Sequence, residues 1–265
     1  MEFCFYISKT DLLSKFDESC NRIYFGAEFC ERLIPEVQDI EKVKEFTLLR
    51  GLEFSLMTPY CTDNGIEKLK KLFTFIAANF DRAEVIVNDW GVLNVLKENF
   101  PTLTPVLGRL MTKMKRDPRL IPLLPVINQG SRDYYSSTNL NLPWYRKFLH
   151  LQGIRRVELD NPYQKIISEN LPKDLSISLY MPFAYISTTR FCLAAGCEKE
   201  ENEFKAGITP CSKECDNYTF LLQSPGMPVP LIRRGNTIFM KKDSVPDNLS
   251  ECSIDRIVLQ PEIPF

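Results

Sequence analysis

Residues 84–109 read EVIVNDWGVLNVLKENFPTLTPVLGR, and the fold class follows from this stretch. Glu84 to Asp89 is a short β-branched run that ends in two polar residues, the pattern of a buried strand. Trp90 to Asn99 has helical spacing and stops before Pro101, whose ring disfavours helical backbone in the residue ahead of it. Thr104 to Arg109 returns to a strand pattern. Strand, helix and strand in so short a span make a parallel β-α unit, because parallel neighbours need a crossover between them.

The same alternation extends in both directions. Strand-like runs precede it at Phe3 to Ser8, Arg22 to Ala27 and Glu53 to Tyr60. Others follow at Leu123 to Asn128 (LLPVIN), Ile154 to Asp160 and Leu175 to Pro182. The clearest helix is residues 64–80, NGIEKLKKLFTFIAANF, where Ile66, Leu69, Leu72, Phe73, Ile76 and Phe80 share one face and Asn64 with Glu67 resembles a capping box. About eight strands interleaved with helices predict an α/β fold, a (β/α)8 TIM-barrel-like domain. Connections such as Lys9 to Asn21 are too short for full helices, so the barrel is expected to be distorted. No G-x-G-x-x-G follows the first strand and no G-x-x-x-x-G-K occurs, which argues against dinucleotide and P-loop sites.

The character changes near Ser187. Beyond it come four cysteines, the charged stretch EKEENEFK (198–205), strand signals at YTFLL and LIRRGNTIFM, and a closing run from Arg256 to Gln260. The LIRRGNTIFM segment predicts a hairpin turning at Gly235-Asn236. Two parts are therefore expected: a barrel over residues 1–186 and a small Cys-rich α+β lobe over residues 187–265.

Composition limits the function. The chain has 265 residues, 33 Lys+Arg against 34 Asp+Glu, and a formal charge of -1, so no long-range attraction to nucleic acid or anionic lipid follows, although a local basic patch and hence nucleic acid are not excluded. No run approaches the roughly 18 to 20 apolar residues of a membrane span. The opening MEFCFYISKTDLL lacks a basic n-region and a long apolar core, which predicts a cytoplasmic protein with reduced thiols. His150 is the only histidine, so a mechanism needing two is excluded by counting, and its place in WYRKFLH predicts a packing or surface role.

Nine cysteines remain to be explained. Cys192, Cys197, Cys211 and Cys215 follow the spacing C-x4-C-x13-C-x3-C in a segment too polar for core thiols. Thiolates ligate zinc and iron–sulfur clusters, and either can tie down a segment poor in core. Zinc sites favour tighter C-x2-C knuckles, whereas Fe–S clusters accept looser spacing, so spacing alone favours Fe–S and leaves zinc or structural cysteines without a metal as the alternatives. Cys30, directly after the second strand, falls at the end of a barrel where ligands gather.

Several blocks together resemble peptidase family U32: EVIVNDWGVLNVL, VLGRLMTKMKRDPRL, AYISTTRFCLAAGC with ITPCSKEC, and IYFGAEFCERL. The resemblance spans most of residues 20 to 220. It is greatest to the family's short, single-module iron–sulfur accessory members that act in oxygen-independent ubiquinone biosynthesis. It implies a [4Fe–4S] cluster held by Cys30, Cys192, Cys211 and Cys215. Cys197 is a competing thiol for the position given to Cys192, and zinc is the alternative metal. It further implies a redox subunit that assists an oxygen-independent hydroxylation beside a second, larger U32-family protein as a heterodimer. RNA modification, or a non-catalytic metal-stapled scaffold, is the alternative. Peptidase activity is not expected, because the lone His150 completes no Ser–His or Cys–His arrangement and cluster-bound thiolates are not free nucleophiles.

Other groups fall where a barrel would display them. Asn88 and Asp89 end one strand and Arg109 follows the next, so all three are candidates to line a catalytic pocket; the competing expectation is that Asn88-Asp89 caps the following helix with Arg109 paired to it. Lys113, Lys115, Arg116 and Arg119 form a basic run suited either to a small anionic substrate or to a solvated loop. Glu158 and Asp160 would offer carboxylates to the same face.

Overall fold

Eight parallel strands close on one another in the computed structural model, which describes residues 1–164, 166, 173–200, 210–246, 249 and 252–265. In chain order the first five strands are β1 (Glu2–Ile7), β2 (Arg22–Gly26), β3 (Glu53–Met57), β4 (Ala83–Val87) and β5 (Thr104–Leu107). Helices α1 (Val37–Arg50), α2 (Asp63–Asn79) and α3 (Trp90–Asn99) separate β2 from β3, β3 from β4 and β4 from β5. Two short helices, α4 (Gln129–Ser136) and α5 (Pro143–Leu151), follow β5, and then come β6 (Arg156–Asp160) and β7 (Ser176–Met181). The (β/α)8-type barrel expected from the alternation is present, and the short Lys9 to Asn21 connection holds only a 3-10 turn at Thr10–Lys15.

Two expected elements differ. Leu123 to Asn128 is a series of turns, with Leu123 and Val126 exposed. Pro122 and Pro125 each lack the N–H that a central strand must donate, so an apolar run there cannot join the ladder. The eighth barrel strand comes from the far end of the chain instead. After β8 (Phe183–Thr188), β9 (Thr219–Leu222), β10 (Leu231–Arg234) and β11 (Thr237–Lys241), strand β12 (Ile254–Leu259) inserts between β1 and β7 and pairs in parallel with both. The intervening strands form a separate antiparallel sheet ordered β8-β11-β10-β9. The division expected at 186/187 thus falls inside β8, and the segment beyond it supplies the other three strands of this sheet and the closing stave of the barrel. In β10–β11 the register Arg234↔Thr237 leaves Gly235-Asn236 as the two-residue turn, as the sequence predicts, with Gly235 at φ 55°. Of the charged stretch 198–205, residues 201–205 lie outside the described residues.

Helix α2 forms for the reason its sequence suggests. Leu69, Leu72, Phe73 and Ile76 recur at three- and four-residue spacing and are buried against the barrel wall, each contributing about 1.5–3 kcal/mol. Its cap is not the expected Asn64–Glu67 box. Thr62 is the N-cap, and the Glu31 carboxylate reaches from the β2–α1 connection to accept from Thr62 N (2.6 Å) and Thr62 Oγ1 (3.0 Å). That bond ties the start of α2 to the residue beside Cys30. No helix among the described residues is long and apolar enough to cross a membrane.

The barrel interior is layered and polar at both ends. Near the N-terminal ends of the strands, Arg256 donates to Glu2 (2.7 Å) and Glu84 (2.7 Å), and Arg22 donates to Glu2 (2.8 Å). The middle layer holds Tyr6, Tyr24, Tyr180, Met57, Ile86 and Val106. At the C-terminal face lie Glu28, Arg109 and Asp160, all fully or almost fully buried.

Candidate metal centre and adjoining cavity

The C-terminal face gathers cysteines from three separate stretches of chain. Cys30 is the residue before the 3-10 turn Glu31–Leu33, just past β2. Cys192 follows β8, and Cys211 and Cys215 flank Lys213 at the 3-10 turn Glu214–Asp216. All four line one cleft of about 50 Å³, room for a few water-sized groups, walled by Leu33, Ala195 and Phe265. Cys197 does not line it. The four thiols ring this space and do not meet at a point: among the described residues no three His, Cys, Asp or Glu side chains converge closely enough to hold a single metal ion. Burial raises the Cys30 thiol, with Cys211 and Cys192 pushing it further, and burial with Asp216 and the other three thiols pushes Cys215 up to about 12. Both are therefore thiols until a cation displaces their protons.

Three side chains hold the cysteine-bearing segments in register. Asn236, at the β10–β11 turn, donates from Nδ2 to Phe29 O (2.8 Å) and Thr189 O (2.5 Å), joining the backbone beside Cys30 to the backbone leading into Cys192. Glu214 accepts from Gly196 N (2.5 Å) and Ser212 N (3.1 Å), joining the Cys192 and Cys211 segments. Arg109 acts from beneath. Its Nε and Nη2 each donate over 2.7 Å to the two carboxylate oxygens of Glu28, two residues before Cys30. Its Nη1 donates to Asp160 (2.8 Å) and to the carbonyl of Phe183, the first residue of β8 (2.8 Å).

The other predicted groups separate here. Asn88 is buried with Nδ2 on Thr58 O (2.9 Å) and Oδ1 accepting from Leu110 N (3.1 Å), so it ties two loops together. Asp89 caps α3, accepting from Gly91 N (2.7 Å) and Val92 N (3.3 Å), and also lines a second cavity with Trp90 and Tyr145. The capping half of that expectation holds for Asp89, but Arg109 pairs with neither residue, because Asp160 reaches it from the end of neighbouring β6 and Glu28 from beyond the end of β2. The basic run does not act together: Arg116 is buried on Asp160 (2.5 Å), Arg119 pairs with Asp117 (2.6 Å), and Lys113 and Lys115 are exposed. Glu158 points into the barrel beneath this layer. Its Oε2 accepts from Tyr180 OH (2.5 Å), its Oε1 has no partner, and burial pushes its carboxyl up to about 8. His150 lies on α5, engaged by Asp174 (2.5 Å) and Arg155 (2.6 Å), with no nucleophile bonded to it.

Sequence reasoning missed Glu28, Asn236 as a tie, and Glu214. None has a periodic or motif signal; only the carboxylate of FGAEFC, buried in an apolar run two residues before a cysteine, was a usable cue.

A cavity of about 430 Å³ opens beside the cysteine cleft, walled by Phe29, Tyr60, Thr62 and Thr188. Cys30, Arg32, Arg190 and Asn236 line both spaces. That volume is within the usual range of small-molecule sites, about 300–1,000 Å³.

No protein-family model matches the chain, and no curated protein matches it. Among solved structures it is similar to the U32 peptidase Mk0906, at 12% identity and a TM-score of 0.47 over 99% of this chain and 93% of that one. It is also similar to an Ostrinia furnacalis Group IV chitinase (10% identity, TM-score 0.41, 97% and 92% covered). A third is a glycoside hydrolase family 18 N-acetylglucosaminidase from Paenibacillus barengoltzii (9% identity, TM-score 0.38, 97% and 94% covered). The barrel assignment rests on the strand pairing itself, and these likenesses say nothing of activity.

Proposed function

We propose that the chain is a [4Fe–4S] protein of the U32 type. In this reading it is a redox subunit that assists an oxygen-independent hydroxylation together with a larger U32-family partner, as the UbiV-type accessory proteins of ubiquinone biosynthesis do. The observation that carries it is the convergence of Cys30, 162 residues from Cys192 in the sequence, with Cys192, Cys211 and Cys215 on one cleft, from which the rival Cys197 is absent. The donor set fits the group. Four thiols lining one cleft, with apolar walls and two arginines at the rim, are a donor set that a polynuclear iron–sulfur cluster takes.

Cys30, Cys192, Cys211 and Cys215 would hold the cluster, which when bound supplies one-electron transfer with every iron protected by a thiolate. The chain's own groups do the rest. Asn236 and Glu214 keep the three segments in register, and Arg109 braces the barrel ends from which two of them depart. Leu33, Ala195 and Phe265 keep water from one side, and the adjoining cavity offers a small anionic substrate a place next to the cleft.

Anaerobic purification followed by a visible spectrum and iron and sulfide assays tests this reading. A brown protein with about four iron and four sulfide per chain is expected. A colourless zinc protein contradicts it, RNA retained through a salt wash favours RNA modification, and copurification of a second U32-type chain supports the paired-subunit part.

A further inference from the structure

Cys30 and Cys211 are each followed, two residues on, by a basic residue, Arg32 and Lys213. The Lys213 backbone N–H donates to Cys211 Sγ over 3.4 Å. Its backbone is unusual: φ 63° and ψ 42° place Lys213 in the left-handed region, where a Cβ crowds the following carbonyl. The Lys213 side chain is exposed, so packing of that side chain does not impose the conformation. The Glu214 carboxylate accepts from Ser212 N (3.1 Å) and closes the turn around it. A costly backbone of this kind persists where its surroundings over-determine it, and such residues collect at ligand sites.

Arg32 repeats the arrangement on the facing segment. Its backbone N–H is directed at Cys30 Sγ and its guanidinium at Cys211 Sγ, so one residue donates to thiols from two separate stretches of chain. Arg32 also lines the cleft that holds all four cysteines.

We infer that Arg32 and the left-handed turn at Lys213 are positioning elements that set the electron affinity of the cysteine centre, their N–H groups stabilising negative charge that collects on Cys30 Sγ and Cys211 Sγ. This rests on the cluster reading above. When the centre takes one electron from a one-electron donor, which is thereby oxidised, no bond breaks and one negative charge is added over the sulfurs. Hydrogen bonds to the sulfurs are among the levers that set such a potential. A guanidinium charge about 6 Å away, at an effective dielectric between protein-surface and bulk-water values, favours the reduced form about tenfold.

Dithionite titration of the anaerobically purified chain, followed by its visible spectrum, tests this. Arg32→Gln should keep the wild-type iron and sulfide and lower the midpoint potential by about 59 mV, the equivalent of a tenfold factor for one electron. Arg32→Lys, which keeps the charge, should recover much of that shift. Lys213→Gly keeps both the N–H and the left-handed backbone and should titrate like wild type, whereas Lys213→Val, whose branched Cβ disfavours positive φ, should shift in the same direction as Arg32→Gln. Loaded Arg32→Gln with the wild-type potential, or an equal shift in Arg32→Lys, overturns the assignment to Arg32. Lys213→Val that titrates like Lys213→Gly overturns the assignment to the turn. Wild-type chain without iron and sulfide defeats the cluster reading, and this inference falls with it.

Discussion

Arg109 and Glu28, 81 residues apart in the chain, meet through two parallel bonds of 2.7 Å at the top of the barrel, with both side chains completely buried. Burial pushes the Glu28 carboxyl up and the guanidinium pulls it back; because both carboxylate oxygens accept from the fork, the contact is that of an ion pair. Arg116 and Asp160 complete the layer, so two cations face two anions. Removing one member strands its partners in a dry site, which typically costs about 3–5 kcal/mol. Arg109→Ala should lose that much stability in urea unfolding, and Arg109→Lys, which keeps charge but not the fork, should lose less. A loss below about 1 kcal/mol for the alanine variant would show that water reaches the layer.

Glu158 predicts a pH dependence. Its folded carboxyl titrates at about 8, above the ordinary value of 4.5, because burial disfavours the anion. Between those values the folded chain holds a proton that the unfolded chain releases, so this group's contribution is complete below about 4.5 and is lost as pH rises through about 8. The slope is at most about 1.4 kcal/mol per pH unit. Unfolding measured from pH 5 to 9 should show stability falling through this window, and Glu158→Gln, neutral throughout, should flatten the fall. Parallel curves for the two proteins would contradict the assignment.

Asn236 predicts a local effect. Its amide joins the carbonyls of Phe29 and Thr189, and alanine leaves both without that donor. The expected loss is about 1–3 kcal/mol. Amide hydrogen exchange should speed up around residues 29–33 and 189–192 while the β3–β4 wall keeps its protection. Uniform faster exchange would mean that the residue serves global stability only.

The close approach of Gly108 to Asn88 gives a further test. A Cβ on Gly108 would lie 2.1 Å from Asn88 Oδ1, and Asn88 is fixed at both ends by backbone. Gly108→Ala should destabilise by about 1–3 kcal/mol through overpacking, whereas Gly51→Ala, with open space but φ 64°, should lose only the smaller cost of left-handed backbone. Equal losses in urea unfolding would contradict the packing account.

The sequence made the barrel legible where strands are apolar runs bounded by turn residues, as at Glu84 to Asp89, because local pattern and tertiary role agree there. It misled at Leu123 to Asn128, where apolar content outweighed Pro125 within the run and Pro122 just before it, and it did not show that Ile254–Leu259 closes the barrel, since pairing across the whole chain leaves no local trace. In the site, Cys192, Cys211 and Cys215 stand out by spacing, yet Cys197 stands out equally, and only the folded arrangement separates it from the cleft. Cys30 was suggested by its position after a strand and by resemblance. Arg109 stands out by its position after a strand, but its partner Glu28 does not, because an ion pair between two strand ends depends on barrel closure and not on sequence neighbours.

In the proposed function, Cys30, Cys192, Cys211 and Cys215 hold one cluster. Iron and sulfide per chain, assayed after anaerobic purification of five single Cys→Ala variants, test it most directly. Cys30→Ala, Cys192→Ala, Cys211→Ala and Cys215→Ala should each lose most of both, while Cys197→Ala keeps the wild-type content. Full iron and sulfide in Cys30→Ala, with loss in Cys197→Ala, would contradict the assignment and move the centre wholly into the segment beyond β8.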